Sequence, residues 1–215
     1  MRTRIVDKEE LADRLLKKYG HNEPIFTSEI FEAWKEYSRP RAFQLLKELV
    51  EEGIIKKEDA GTYYFSRTTL TGEQSVLGRK SIIDKKFIEH GEEVFGYYSG
   101  FTLLNDLHLT TQMPYQIELV SSKASAPVRK VEINNFPITV RRSRVTINKK
   151  NVGALMLLET FNELDRPLKN NELWGIKEFV KQENVKMEDV ILYSRHFPEK
   201  AVKNLLGTGL TNVFA

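Results

Sequence analysis

Side chains that could bind nucleic acid are concentrated in one predicted helix after Ser38. The first half of this helix carries four side chains that donate hydrogen bonds: Arg39, Arg41, Gln44 and Lys47. The second half carries three carboxylates: Glu48, Glu51 and Glu52. Guanidinium, ammonium and amide groups bind phosphate oxygens and base edges, whereas carboxylates are repelled by phosphates. We therefore expect the N-terminal end of this helix to face DNA.

The same segment has the apolar spacing of a helix with one buried face. Five apolar residues follow the i, i+3, i+4, i+7, i+8 pattern: Ala42, Leu45, Leu46, Leu49 and Val50. Ser38 or Arg39 caps the start, Pro40 fits the first turn, and Gly53 lies where the helix is expected to end. One face is thus predicted to pack, and the other stays available for binding.

The flanking residues predict the remaining parts of a small DNA-binding module. A shorter helix begins at Thr27 or Ser28. After the longer helix, residues 54–57 and 63–65 predict a two-stranded hairpin with a tight Ala60-Gly61 turn. This order of elements is that of a winged helix-turn-helix, which lays its second helix in the DNA major groove.

Further phosphate contacts are predicted around this module. The amide-rich first turn of the shorter helix, at Thr27 and Ser28, could hold a phosphate. Three basic residues lie along the hairpin: Lys56, Lys57 and Arg67. Residues 1–67 contain as many acidic as basic side chains, so an electrostatic footprint has to come from clustering. The alternative is a winged helix that docks another protein instead of DNA.

Composition indicates an ordinary globular protein. The chain has 215 residues, of which 40% are hydrophobic and 29% charged, which is enough for two small cores. The absence of cysteine excludes disulfides, thiol nucleophiles and Cys-ligated zinc. A charged N-terminus leads into an amphipathic helix, Lys8 to Tyr19, with Asp7 and Glu10 at its start, and no apolar run approaches the length of a membrane span. We expect a cytoplasmic protein without a membrane partner.

Residues 66–80 are rich in Thr, Ser and Gly, which predicts a domain boundary or an ordered connector, and we place the boundary near residues 66–72. It separates a first domain, residues 1–67, from a second, residues 72–215. The predicted fold is α+β: an N-terminal winged helix-turn-helix followed by a mixed α/β domain with a small antiparallel sheet and C-terminal helices.

The elements of the second domain are predicted from caps, turns and periodicity. A helix is expected around residues 82–90, and Ser99 caps another that runs through Leu107. Strands are expected at residues 115–121, 128–134 and 138–142, with an Asn134-Asn135 turn between the last two. A buried helix follows at residues 152–161, and residues 170–206 form amphipathic helical pieces.

Basic residues also concentrate on the predicted hairpin of the second domain and its exit: Arg129, Lys130, Arg141, Arg142, Arg144, Lys149 and Lys150. In a strand, Arg142 and Arg144 point to one side and Arg141 to the other. This second basic patch could hold DNA phosphates, tRNA or an acidic partner. Alternatively, its residues are solvated and protect a sheet edge from aggregation. Tyr97 and Tyr98 either stack on a base or belong to the core.

Residue patterns of catalytic and metal sites are missing from the sequence. The four histidines are widely spaced and form no metal-ligand pair. Gly96 and Gly100 lack the lysine of a phosphate-binding loop, and Ser99 lacks the preceding glycine of a nucleophile elbow. No enzyme activity, catalytic residue, metal or cofactor is predicted.

Three segments resemble the AbiEi antitoxin-like family of bacterial transcriptional regulators. The first is the run YYSGFTLLNDLHLTTQMP, residues 97–114. The second comprises Arg129 and the N-x-x-I-x-V-R-R segment at residues 135–142, and the third is the ending that starts with Arg195-His196-Phe197-Pro198 and continues to Leu206. With the N-terminal winged helix, the resemblance covers nearly the whole chain.

The resemblance implies two activities. Members of this family are antitoxins of type IV toxin–antitoxin, or abortive-infection, systems and are encoded beside a nucleotidyltransferase toxin. The winged helix is expected to repress the operon's own promoter, and the second domain to counteract the toxin without a stable complex. Inverted repeats are the expected DNA target, although a monomer that binds cooperatively to adjacent sites is equally consistent. A transcriptional regulator unrelated to a toxin is the remaining alternative.

Overall fold

The structure is a computed structural model that describes residues 8–214. The predicted helix start at Asp7 lies outside these residues. The chain divides between Ile83 and Asp84 into two compact units. Helices and strands occur in both, so the fold is α+β. Every helix within residues 8–214 is too short or too polar to cross a membrane.

The first unit consists mainly of three helices and three short strands. In chain order they are α1 (Lys8–Tyr19), β1 (Ile25–Phe26), α2 (Thr27–Ala33), α3 (Arg39–Glu51), β2 (Lys56–Asp59) and β3 (Thr62–Tyr64). The predicted helices and hairpin are confirmed with nearly these bounds. β1 has no counterpart among the predicted strands, because two residues are too few to show an alternating pattern.

A three-stranded antiparallel sheet closes the first unit. β1 and β2 both pair with β3, which gives the order β1-β3-β2. The Ala60-Gly61 turn is confirmed, with Gly61 at φ +78°, where an L side chain would be strained. Asp59 Oδ1 accepts a hydrogen bond of 2.6 Å from the amide of Ala60. These features fix the turn between β2 and β3.

One apolar core joins the helices to the sheet. Four of the five residues in the predicted stripe of α3 are buried, and Val50 is half-buried. They share a cluster with residues of every other element or its flanks, including Leu11, Leu15, Ile30, Trp34, Ile55 and Tyr63. The indole N–H of Trp34 donates to the carbonyl of Leu11 at 3.4 Å, which ties α2 to α1. This packing turns the other face of α3 toward solvent.

The Thr-, Ser- and Gly-rich segment belongs to the first unit. Ser75 Oγ donates a hydrogen bond to Asn22 Oδ1 and accepts one of 2.7 Å from the amide of Arg67. Leu77 is buried. The division between units therefore follows this segment, whereas the predicted boundary lies within it, at residues 66–72. The short helix α4 (Arg79–Ile83) precedes the division.

The second unit begins with a π-helical turn, Asp84–Ile88, and two hairpin strands, β4 (Glu89–His90) and β5 (Glu93–Val94). The helix predicted at residues 82–90 thus begins earlier, at Arg79, and its helical residues end at Ile88. The last two residues of the prediction form β4 instead. The elements that follow are β6 (Gly96–Ser99), α5 (Gly100–Asp106), β7 (Ile117–Ser121), β8 (Val128–Ile133) and β9 (Phe136–Arg142). Next come α6 (Val152–Glu163), a 3₁₀ turn (Asn170–Glu172), α7 (Trp174–Gln182), α8 (Met187–Ser194), α9 (Glu199–Thr208) and α10 (Leu210–Phe214).

The central sheet of the second unit is mixed, so the prediction of an antiparallel sheet is wrong for one strand pair. The strand order is β6-β7-β9-β8, and β7 and β9 run parallel. After β7 the chain crosses to the edge, and the β8–β9 hairpin then brings β9 back beside β7 in the same direction. Asn134 and Asn135 form its predicted turn, both with positive φ.

Strand β6 was not predicted, and backbone atoms of neighbouring segments lie close to its first residue, Gly96. A Cβ at Gly96 would lie 1.9 Å from the carbonyl oxygen of Phe87 and 2.9 Å from that of Val120. Only glycine fits there. β6 pairs with β7 and places Tyr97 in the same cross-strand row as Val120 and Arg141.

α6 is the buried central helix of the second unit, as predicted. Its apolar residues pack with residues of α7, α8, α9 and α10 in one cluster and with β6 and β7 in another. One face of the sheet is thereby covered by α6, and that face carries Arg141.

Candidate nucleic-acid interface and buried ion-pair cluster

The exposed face of α3 presents the side chains predicted to read DNA. Arg39, Arg41, Gln44 and Lys47 are all exposed, because the buried stripe lies on the opposite face. Arg41 Nη1 lies 3.9 Å from an oxygen of Glu48, and Lys47 Nζ lies 3.6 Å from one of Glu51. Exposed pairs of this kind contribute about 0–1 kcal/mol. Phosphates would readily replace these carboxylate partners.

The hairpin brings one further cation close to α3. Lys57 is exposed and lines the same cavity as Lys47. Lys56, its neighbour in β2, is half-buried opposite Tyr64. Arg67 is exposed but lies beyond the hairpin, in the segment held by Ser75. The structure therefore groups Lys57 with the α3 residues and places Arg67 apart from the paired strands.

The first turn of α2 is engaged within the unit. The amide and hydroxyl of Thr27 both donate to the carbonyl of Gly61, at 3.0 and 3.2 Å. The buried carboxylate of Glu29 accepts a hydrogen bond of 2.8 Å from the amide of Phe26. A carboxylate at a helix N-terminus takes the position that a phosphate would occupy. Thr27 thus has a structural role. Of the two residues predicted to hold a phosphate, Thr27 and Ser28, only Ser28 is exposed.

The sequence-based prediction of the site left out an exposed aromatic residue of α3. Phe43 is 51% exposed, and its ring meets that of Phe31 edge to face with centroids 4.7 Å apart. With Leu46, Val50 and Tyr63 it lines a largely apolar cavity of about 430 Å³. The sequence contained the signal, because a large apolar residue at position 43 falls outside the buried stripe.

The second basic patch is dispersed in the structure. Arg129 and Lys130 are exposed on β8. Lys149 and Lys150 are exposed after β9, and Lys149 Nζ lies 3.2 Å from a carboxylate oxygen of Glu92. These four residues fit the interpretation that the patch consists of solvated side chains. The other three residues of the patch have different surroundings: Arg141, Arg142 and Arg144.

Arg142 and Arg144 do not share a strand face, contrary to the predicted alternation. β9 ends at Arg142, so Arg144 lies in the following loop. Arg142 donates hydrogen bonds to two backbone carbonyls, those of Ala124 at 3.2 Å and Ser125 at 2.8 Å. It thereby holds the loop before β8 against the end of β9.

Arg141 lies inside the second unit, on the sheet face covered by α6. Its Nη2 donates to Ser99 Oγ at 2.7 Å and to Glu159 Oε1 at 2.6 Å. Ser99 Oγ in turn donates to Glu159 Oε1 at 3.1 Å. The side chain of Glu159 is completely buried in α6. Arg141 therefore neutralises a buried carboxylate and is not part of an exposed basic surface.

Two more charged residues adjoin this pair. Arg144 Nη1 lies 3.7 Å from Glu159 Oε2, and its guanidinium lies 5.0 Å from the centre of the Phe197 ring. Glu163 Oε1 lies 3.4 Å from Arg141 Nη2. We call Ser99, Arg141, Arg144, Glu159 and Glu163 the Arg141 cluster. Long-range pairing of this kind has no signature in local sequence spacing.

The two tyrosines of β6 are structural. Tyr97 is 3% exposed, and burial, followed by the negative charge of Glu159, raises the pKa of its phenol. Burial also raises the pKa of Tyr98, whose hydroxyl donates to Asp84 Oδ1 at 2.7 Å. Of the two predicted interpretations, the core role is the one that fits Tyr97, because its ring has no face open to a base.

The stability of the second unit should depend on the protonation of Glu163. Burial raises the pKa of this carboxyl to about 7, and the charge of Glu159 adds to the effect while Arg141 opposes it. The folded state therefore retains a proton that the unfolded chain loses near pH 4.5. The stabilisation is complete below that pH and is lost as the pH rises through 7. Urea denaturation between pH 5 and pH 8 should show this decline, and Glu163→Gln should reduce it.

The matched control for this measurement is Glu188→Gln, which removes an exposed carboxylate from α8. It should keep the pH dependence of the unmodified protein. Equal slopes for the unmodified protein and Glu163→Gln would contradict the assignment.

Within residues 8–214, no group of three His, Asp or Glu side chains is arranged to hold a metal ion. Comparison with known proteins gives no match: no family model matches the sequence, and a search of curated proteins finds none similar to it. The resemblance to AbiEi-like antitoxins therefore stays a prediction, as does the lack of enzyme activity.

Proposed function

We propose that the first unit is a winged helix-turn-helix that binds DNA upstream of the protein's own gene. The order α1-β1-α2-α3-β2-β3, with the donor side chains on the solvent face of α3, is the observation that carries the proposal. In such a module α3 enters the major groove and the β2–β3 hairpin is the wing.

The side chains of α3 divide into two groups by chemistry. Arg41 and Gln44 read bases, because guanidinium and amide groups form bidentate hydrogen bonds with guanine and adenine. Arg39, Lys47 and Lys57 contact phosphates, which fix the orientation of the helix. Because residues 1–67 have no net charge, non-specific binding is weak and a few contacts determine the affinity.

We further propose that the protein is a cytoplasmic antitoxin of a type IV toxin–antitoxin system. The support is the resemblance of residues 97–114 and 135–142 to the AbiEi-like family. These residues contribute two strands of the central sheet, β6 and β9, together with helix α5 and two members of the Arg141 cluster, Ser99 and Arg141. In this proposal the second unit counteracts a nucleotidyltransferase toxin encoded beside it, and the first unit represses the shared promoter.

One pair of assays on the full chain separates these two activities. A reporter placed behind the protein's own upstream region should be repressed by the unmodified protein but not by Arg41→Ala/Gln44→Ala. If the neighbouring gene encodes a toxin that inhibits growth, co-expression of either the unmodified protein or the double variant should restore growth. Both forms should do so because the substitutions leave the second unit intact. Repression by the double variant equal to that of the unmodified protein would contradict the reading assignment. Loss of growth rescue by the double variant would contradict the division of labour.

A second candidate function is favoured by Phe43. A half-exposed phenylalanine beside an apolar cavity of about 430 Å³ is typical of a surface that docks a protein. In this case the first unit binds a protein partner through α3 and the hairpin. A partner that co-purifies with the unmodified chain but not with Phe43→Ser, together with no salt-dependent affinity for DNA, would favour this function over the first.

A further inference from the structure

A small cavity next to the Arg141 cluster is lined by three arginines. Its volume is about 110 Å³, and its lining includes Tyr97, Arg141, Arg142, Ser143, Arg144 and Phe197. All of these residues belong to the second unit and none takes part in the proposed DNA contacts.

In the part of the chain that the structure describes, the cavity lining carries no carboxylate but three guanidinium groups, those of Arg141, Arg142 and Arg144. Glu159 and Glu163 lie within ion-pair distance of Arg141 or Arg144, and the charge of Glu118 also acts on Arg141. Among the described residues, the guanidinium of Arg142 hydrogen-bonds only to neutral carbonyl oxygens. A cavity lined by guanidinium groups and by no carboxylate favours an anion.

Hydrogen-bond donors also remain for such an anion. Arg141 Nε is buried and has no hydrogen-bond acceptor within residues 8–214. A buried guanidinium N–H without an acceptor is costly and rare. Arg144 contacts Glu159 only at 3.7 Å, which is longer than a hydrogen bond. Ser143 Oγ accepts a bond from the amide of Val145, so its hydroxyl hydrogen is able to donate.

The size of the cavity decides the class of ligand. Pockets for cofactors and drug-sized molecules measure about 300–1,000 Å³, and one water occupies about 30 Å³ in the liquid. A cavity of about 110 Å³ therefore holds one tetrahedral oxyanion and excludes a nucleotide. We propose that this cavity is a binding site for a phosphate-like oxyanion, held by Arg141 Nε, the guanidinium of Arg144 and the hydroxyl of Ser143.

The test is a titration of the full chain in chloride buffer at constant ionic strength. Inorganic phosphate should bind saturably in calorimetry and raise the melting temperature by about 3 °C at ten times Kd. Arg144→Gln should weaken phosphate binding by about tenfold or more, because a charge-assisted hydrogen bond is lost. Ser143→Ala should weaken it by a smaller factor. Arg129→Gln makes the same change of charge on β8, outside the cavity, and should bind like the unmodified protein.

Sulfate and glycerol 3-phosphate distinguish a free oxyanion from a phosphate ester. Binding of phosphate and sulfate, with glycerol 3-phosphate weaker, supports a site for the free ion. Tighter binding of glycerol 3-phosphate supports the same donors with a phosphate ester whose remainder lies outside the cavity. A rise in melting temperature that is equal in Arg144→Gln, or that chloride reproduces at matched ionic strength, would overturn the proposal.

Discussion

Arg141→Met should lower the free energy of unfolding by about 3–5 kcal/mol. The substitution keeps most of the side-chain volume but removes the charge that neutralises Glu159, whose carboxylate has no exposed surface. Arg144 does not replace it, because its nearest nitrogen is 3.7 Å from Glu159 and makes no hydrogen bond. Ser99 Oγ also loses its donor from Arg141. Urea denaturation followed by circular dichroism at pH 7 measures the change.

Two further variants show whether the cost comes from the buried charge. Ser99→Ala/Arg141→Met/Glu159→Leu removes all three polar partners and should recover most of the lost stability, since apolar replacements of buried ion pairs are often neutral or stabilising. Arg142→Met, at the neighbouring position, removes two hydrogen bonds to carbonyls near the surface and should cost about 1–2 kcal/mol. If Arg141→Met costs no more than Arg142→Met, the role assigned to the Arg141 cluster is wrong.

The position of Arg141 could not be read from the sequence. A run of basic residues is ordinarily solvated. The predicted alternation put Arg141 on the opposite side from Arg142 and Arg144, but it did not show that this side is buried. Its partner lies in α6, where Glu159 is the one charged residue of the largely apolar run 152–161. Only the register of β6, β7 and β9, together with the crossing of α6, brings the two residues together.

Arg41→Ala/Gln44→Ala should weaken binding to the protein's own upstream DNA by about 30-fold or more. Each bidentate contact with a base contributes roughly 1–3 kcal/mol of discrimination, and tenfold in affinity corresponds to about 1.4 kcal/mol. Both side chains are exposed on α3, so the fold should be unaffected. Fluorescence anisotropy with a labelled upstream fragment measures the loss, and circular dichroism checks the fold.

Lys177→Ala/Gln182→Ala is the matched control. It also removes one cation and one amide from exposed positions of a helix, but on α7 of the second unit. Its affinity for the upstream fragment should equal that of the unmodified protein. An equal loss in both double variants would mean that general charge, and not the face of α3, determines binding.

The first unit was predictable because its signals are local. The apolar stripe of α3, the Pro40 and Gly53 signals, and the Ala60-Gly61 turn each lie within a few residues of the element that they define. In the second unit, β6 is a four-residue strand whose partner β7 lies about twenty residues later. The parallel pairing of β7 and β9 likewise depends on which edge β8 takes, and no residue pattern within the strands specifies that choice.

The central claim is that the first unit recognises a specific DNA sequence through α3. Its most direct test is the affinity of the unmodified protein for its own upstream fragment and for a scrambled fragment of equal length, measured over a range of salt concentrations. We predict about 10³-fold tighter binding to the upstream fragment at physiological salt. With the three phosphate contacts assigned to Arg39, Lys47 and Lys57, the logarithm of the affinity should fall with the logarithm of the salt concentration with a slope of about −3. Equal affinity for both fragments, or no binding to either, would contradict the claim.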